Sequence, residues 1–221
     1  MSPLEPLLLS LRVAVIATTI TFALGLYLAR IFTKHTVPLR WFWESLILLP
    51  MVFPPTITGY LLLLLLGKHG PIGGILAGAG LQVVFTWAAA VIASTTVALP
   101  LMYQSCKAAL LSVDSRFEDA ARTLGLSEGR IFRRITVPLA TPGILSGIAL
   151  SFARAIGEFG ATLMIAGNIP GRTQTLPLAL YGAVEGGRTD EANFYLIVMV
   201  VMSFVVVFVV GLGERRKRTN P

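Results

Sequence analysis

Two groups of residues in this chain can do chemistry beyond packing, and neither is built like a catalytic centre. The first is Arg154 and Glu158, four apart in Ala153-Arg-Ala-Ile-Gly-Glu-Phe-Gly-Ala-Thr162. Four residues place both side chains on one helix face, where opposite charges pair. Their surroundings are apolar, and an ionisable group inside a membrane costs several kcal/mol unless paired or wetted. The pair reads as a gating element or as a structural link between helices, and Gly157 and Gly160 beside it permit close backbone approach. The second group is a charged island, Ser115 to Pro138, between long apolar runs. Ser115 and Glu118 have capping-box spacing, so a short helix should begin there. Phe117, Ala120, Ala121 and Leu124 then give it an apolar face. Gly125 supplies a left-handed residue to end it. A second, basic helix should follow and stop at Pro138. A helix–glycine–helix unit of this kind offers an apolar face with a polar rim, which is chemistry for docking a partner.

The chemistry that is missing narrows the function. An intramembrane protease wants a serine paired with a membrane histidine, or two membrane aspartates. Here His35, His69 and every Asp fall outside the apolar runs. The lone Cys106 excludes an intrachain disulfide, and there is no Cys/His cluster for zinc. No metal site, no cofactor and no catalytic residue is expected in this chain.

The elements that position these groups must be membrane helices. Of 221 residues, 55% are hydrophobic and 13% charged, and the mean hydropathy is +0.77. No soluble domain of this size hides so much apolar surface. A spanning helix takes roughly 20 mostly apolar residues. Five segments qualify: Leu7–Ala29, Leu46–Leu66, Val83–Met102, Pro142–Ala166 and Phe194–Leu212. The first is read as a retained span, because it is too long for the apolar core of a cleavable signal. The second carries Pro50, Pro54, Pro55 and Gly59, so it should kink and turn its freed carbonyls toward other helices or a wet path. That makes Pro54 and Pro55 candidates for lining or gating a path. In the third span, Thr86, Ser94, Thr95 and Thr96 are expected to bond helix carbonyls.

Charge sets the orientation. Of the 18 Lys and Arg, 13 fall around Arg30–Arg40, in Ser105–Ala140 and in the tail Gly213–Pro221. Lys68, Arg172 and Arg188 lie on the opposite side, and Arg12 and Arg154 lie within spans. The positive-inside rule places the charged island in the cytoplasm, the N-terminus outside and the C-terminus inside. This topology accounts for the net charge of +7. The Arg215–Arg218 run beside a span suits anionic lipid, not nucleic acid. The whole chain reads as one all-α integral membrane domain.

The island resembles the EAA loop of bacterial ABC importer permeases. Asp119-Ala-Ala, three residues, Gly125, nine residues and Ile135-Thr-Val-Pro138 follow that pattern. Asp119 stands for the usual Glu and Val137 for Leu, with Glu118 as a neighbouring acid. The resemblance implies a type I permease fold of about five spans. It also implies that Glu118, Asp119, Ala120, Ala121, Leu124 and Gly125 belong to a cytoplasmic coupling helix seated in an ATPase subunit. The run Phe152–Thr162, then Asn168-Ile-Pro-Gly-Arg-Thr-Gln-Thr-Leu176, is similar to the oxyanion branch of these permeases, nearest the molybdate group. Leu49-Pro50, Phe53-Pro54-Pro55 and Gly59 to Leu63 also look like that group. The resemblance implies a homodimer, two ATPase subunits carrying ATP and magnesium, and an extracytoplasmic oxyanion-binding protein. Arg172 and Arg188 are docking candidates for that protein, although ordinary surface charge also accounts for them. Tungstate and sulfate/thiosulfate permeases are the alternatives. A membrane scaffold or sensor would use the Ser115–Pro138 helices, but would not need the kinked, glycine-rich and charged spans.

Overall fold

The structure is a computed structural model that describes residues 4–218, so the last residues of the basic tail lie outside it. Among the described residues it is helical without a strand. The elements are α1 (Glu5–Lys34), α2 (Arg40–Val52), α3 (Pro55–Leu66), α4 (Pro71–Gly78), α5 (Trp87–Leu111) and α6 (Ser115–Thr123). They continue with α7 (Glu128–Ile131), a π turn (Phe132–Thr136), α8 (Val137–Ile156), α9 (Gly160–Ala166), α10 (Leu176–Glu185) and α11 (Thr189–Arg218). Among the described residues four helical stretches are long and apolar enough to cross a membrane, and the bent pair α2–α3 brings the number to five if it counts as one span.

The core is α5, flanked by α1 and α8. Small residues on α5 (Ala89, Ala90, Ala93, Ser94, Ala98) are fully buried, and they let the neighbouring backbones come close. The same logic holds from the other side. A Cβ on Gly25 of α1 would sit 2.5 Å from Met102 Cγ, and one on Gly147 of α8 would sit 2.7 Å from Ser105 Cβ. Where the solvent is lipid, such close packing replaces the hydrophobic drive between helices. The stretch Thr189–Val206 of α11 is mostly exposed on the single chain.

Three expectations need correction. The second span is not one kinked helix: α2 and α3 meet at 117° across Phe53–Pro54. Pro54 sits before α3 and Pro55 is within its first turn, where a missing N–H is harmless. Two successive prolines therefore end one helix and start another. The fourth span is shifted. It runs Glu128–Ile156, ahead of the expected Pro142–Ala166, and breaks at Gly157–Phe159 before the short α9. Nor does Pro138 stop a helix. It lies in the first turn of α8, and the turn before it widens so that the Val137 N–H reaches back five residues to the Phe132 carbonyl. That π turn moves the carbonyls out of the path of the proline ring, which would clash in an α-helix. Pro100 is likewise carried inside α5, which continues to Leu111.

Candidate functional site

The charged island folds back on the end of α1 as an elbow. Asp114, not Ser115, caps α6: its carboxylate accepts the Arg116 N–H at 2.9 Å. The expected capping box fails because Glu118 is drawn elsewhere. Its side chain is 6% exposed and accepts from Lys34 Nζ at 2.7 Å and from the Thr136 hydroxyl at 2.7 Å. Arg122 Nη2 approaches the other oxygen at 3.6 Å. One carboxylate thus ties α6 to the last turn of α1 and to the π turn before α8. Burial pushes the Glu118 carboxyl up, but the Lys34 ammonium and the Thr136 hydroxyl outweigh it and hold the group below the usual carboxylate range.

Asp119 points the other way. It is exposed and pairs with Arg122 at 2.6 Å, and Arg122 also bonds Glu128 at 2.6 Å. Gly125 adopts φ +77°, as its left-handed role requires. The Leu126 N–H then closes on the Ala121 carbonyl at 3.1 Å, which completes the C-terminal cap. The apolar face divides. Ala121 is buried against the body, while Phe117 (56%), Ala120 and Leu124 (79%) are exposed in a row. Helical spacing of three and four residues aligns them. An exposed apolar row on a helix whose opposite side is anchored by the buried Glu118 carboxylate has the chemistry to receive a partner.

The second place of interest is where two helix breaks meet. A Cβ on Gly160 would lie 3.1 Å from Pro55 Cβ and 3.3 Å from the Thr56 backbone nitrogen. One on Gly59 would lie 2.7 Å from Ala161 Cα. So α3 packs backbone-to-backbone on α9, and the Pro54–Pro55 break touches the Gly157–Phe159 break. Gly157 itself makes no close approach: its Cβ position meets only the Ala153 carbonyl at 3.7 Å, and it ends α8. Glu158 is 2% exposed. One of its oxygens accepts the Ala161 N–H at 2.7 Å, capping α9. The other lies 2.7 Å from Arg154 Nη1, a contact of charges without hydrogen-bond alignment. The expected pair therefore exists, with the added task of holding the break. Because Glu158 occupies the start of α9, no anion is received there.

The two docking candidates in the outer segments differ. Arg188 is taken up locally, by Glu191 at 2.9 Å and the Gly182 carbonyl at 3.2 Å. Arg172 is exposed on a loop held by the buried Thr173, whose hydroxyl donates to the Gly167 carbonyl at 3.1 Å and accepts the Ile169 N–H at 3.0 Å. Sequence reasoning passed over Lys34 and Thr136. Lys34 stands 84 residues from Glu118, and no local pattern records a contact made by the fold.

Comparison with known proteins agrees with this anatomy. Residues 21–218 match the family described as binding-protein-dependent transport system inner membrane component. The chain is 44% identical over 216 residues to the putative molybdenum transport system permease protein YvgM of Bacillus subtilis, covering 97% of this chain and 93% of that one. It is 40% identical to the molybdenum transport system permease protein ModB of Escherichia coli K12, over 87% and 86% of the two chains. Identity to the sulfate transport system permease protein CysW of the same organism is 32%, over 96% of this chain and 73% of that one. A chain of a bacterial ABC transporter involved in import of the acidic polysaccharide alginate superposes with a TM-score of 0.77 at 17% identity, covering 98% of this chain and 80% of that one. This protein is a member of the binding-protein-dependent transport system inner membrane component family, with the ABC importer permease fold.

Proposed function

We propose that this chain is the membrane-spanning subunit of an ATP-driven molybdate importer. The observation that carries the substrate is the identity of 44% and 40% to molybdenum permeases across most of the chain, against 32% to the sulfate permease. Two copies would frame the path, each binding one ATPase subunit on the α6 side. ATP and magnesium act in those partners. The N-terminus lies outside and the basic C-terminus inside, on the charge asymmetry of the loops. An extracytoplasmic binding protein delivers the anion.

The geometry supports a lever. Closure of the ATPase pair displaces α6 through the Phe117, Ala120 and Leu124 row. Glu118 holds α6 to both Lys34 and Thr136, so the displacement passes to the end of α1 and to α8. The 20 residues of α8 reach about 30 Å, which carries the movement to the Gly157–Phe159 break. There Glu158 keeps α9 registered with Arg154, and α9 carries α3 through the Gly59–Ala161 contact. A doubly charged oxyanion needs a polar, wetted route, and two broken helices meeting at one level can open and close such a route.

The test is ATP-dependent uptake by proteoliposomes containing this chain, its ATPase and its binding protein, with molybdate, tungstate and sulfate in competition. Molybdate uptake that tungstate blocks and excess sulfate spares is the expected result. Equal inhibition by sulfate would move the chain to the sulfate branch, and no oxyanion uptake by an intact complex would overturn the substrate.

A further inference from the structure

At the end of the bundle opposite α6, a cavity of about 650 Å³ opens between the first turns of α1, the start of α5, the Arg172 loop and α11. Two guanidinium groups reach it from elements far apart in sequence, Arg12 of α1 and Arg172 of the loop, together with Gln174. Among the described residues neither arginine has a carboxylate within salt-bridge distance. Glu5 is the acid on the cavity wall, so the lining keeps an excess of one positive charge. Of the two arginines placed inside spans, Arg154 is neutralised by Glu158, whereas Arg12 meets the face of Trp87, with its guanidinium carbon 4.2 Å from the ring centroid. Arg12 lies about 10 Å along α1 from Glu5 at the helical rise and is exposed, and a charge within a span that has no carboxylate to pair with is costly. The indole covers one side of the guanidinium and leaves its N–H donors to an incoming acceptor. The other arm is preordered. Gly171 (φ +73°) and the Thr173 hydroxyl bonds shape the loop, and Gln174 Nε2 donates to Asn168 Oδ1 at 2.9 Å.

We infer that this cavity holds an oxyanion between Arg12 and Arg172 at the extracytoplasmic mouth. Planar guanidinium forks match the oxygens of a tetrahedral anion, and donors that are ordered before binding lose little entropy on it. The oxyanion has two chemically equivalent sources, the free anion on its way into the path and the phosphate of a lipid headgroup. Only the choice of molybdate as the free anion rests on the import reading. The single excess charge suits a weak site, which does not impede onward release.

The experiment uses the full chain assembled with its ATPase, without binding protein, in lipid nanodiscs. Molybdate binding is read by equilibrium dialysis with elemental analysis at constant ionic strength, and retained phosphatidylglycerol is read by native mass spectrometry. Saturable molybdate binding that weakens roughly ten-fold or more in Arg12→Gln and in Arg172→Gln supports the free-anion source. Arg12→Lys should weaken it less. Retention of phosphatidylglycerol that both Gln variants abolish, without molybdate binding, supports the headgroup source. Neither ligand bound, or binding indifferent to both arginines, overturns the site. Because Arg172 is on an exposed loop, its variant remains informative if Arg12→Gln fails to assemble. Intact molybdate uptake beside a negative binding result would reject this site while leaving the transport function standing.

Discussion

Glu118→Gln is the sharpest perturbation of the elbow, because it removes one charge and almost no volume. In the wild type the carboxylate receives Lys34 and Thr136 at 2.7 Å each and Arg122 at 3.6 Å. Breaking a buried ion pair from one side costs about 3–5 kcal/mol. The Lys34 side chain is 30% exposed and that of Arg122 is 41% exposed, so water recovers part of that loss. A cost of about 2–3 kcal/mol remains, since a hydrogen bond to a charged group contributes about 1.5–3. The loss falls on the attachment of α6, not on the α1–α5–α8 core. It should raise the undocked population about 30- to 150-fold. Hydrogen exchange of the Arg116–Thr123 amides reads this directly, and core amides on α5 serve as the internal control. The pH dependence has a definite sign. A carboxyl held below its ordinary value stabilises fully above the unfolded pKa of about 4.3 and loses that contribution as pH falls through the folded value. Docking of α6 should therefore be constant from neutral pH down to roughly pH 5 and loosen in more acid solution. Asp119→Asn is the matched control: Asp119 is exposed, and its loss should cost about 0.5 kcal/mol or less. If Glu118→Gln leaves α6 exchange within two-fold of wild type, or if Asp119→Asn matches it, the assignment of Glu118 as the inner anchor is wrong.

Substitutions at three further positions probe the other joints. Gly125→Val places a β-branched residue at φ +77° where no heavy atom lies within 4 Å of the new Cβ; the penalty is purely backbone, at least about 1–2 kcal/mol, and coupled transport should fall while Gly125→Asn retains most of it. Gly59→Ala drives a Cβ to 2.7 Å from Ala161 Cα, so α3 and α9 must part. A cost of about 1–3 kcal/mol should appear as a lower melting temperature in detergent, and an unchanged melting temperature would show that the contact is slack. Glu158→Gln keeps an acceptor for the Ala161 N–H and removes the partner of Arg154, whereas Glu158→Ala removes both. Uptake should fall in both variants, with Ala the less stable by about 1 kcal/mol, the worth of a helix cap.

Apolar length and glycine chemistry were readable from the chain; long-range polar contacts were not. The first, third and fifth spans lie inside α1, inside or across α5, and inside α11, because roughly 20 apolar residues leave a helix few other fates in lipid. Gly125 was legible for a local reason, since its φ follows from the turn it makes. Prolines were misread in both directions. Pro138, expected to stop a helix, is accommodated at the start of one by a π turn, while Pro54 and Pro55, expected to kink theirs, break it completely. A single proline costs one bond that the tertiary structure can replace, whereas two in succession at a helix start redirect the chain. Ser115 and Glu118 had the spacing of a capping box, but Lys34 and Thr136 outcompeted a helix terminus for the carboxylate. The fourth span moved because the basic run Arg130–Arg134 extends a helix that hydropathy alone would begin later. The break at Gly157–Phe159 is legible in hindsight as a glycine and an acid in sequence.

The central claim is that the Phe117–Leu124 row faces the cytoplasm and is covered by the ATPase. Leu124→Cys in a Cys106→Ala background tests both halves, because Cys106 is buried and Leu124 is 79% exposed. A membrane-impermeant maleimide should label Leu124→Cys in inside-out vesicles and not in right-side-out ones, and added ATPase should suppress that labelling. Labelling from the outer face, or labelling at the same rate with the ATPase bound, would contradict the account.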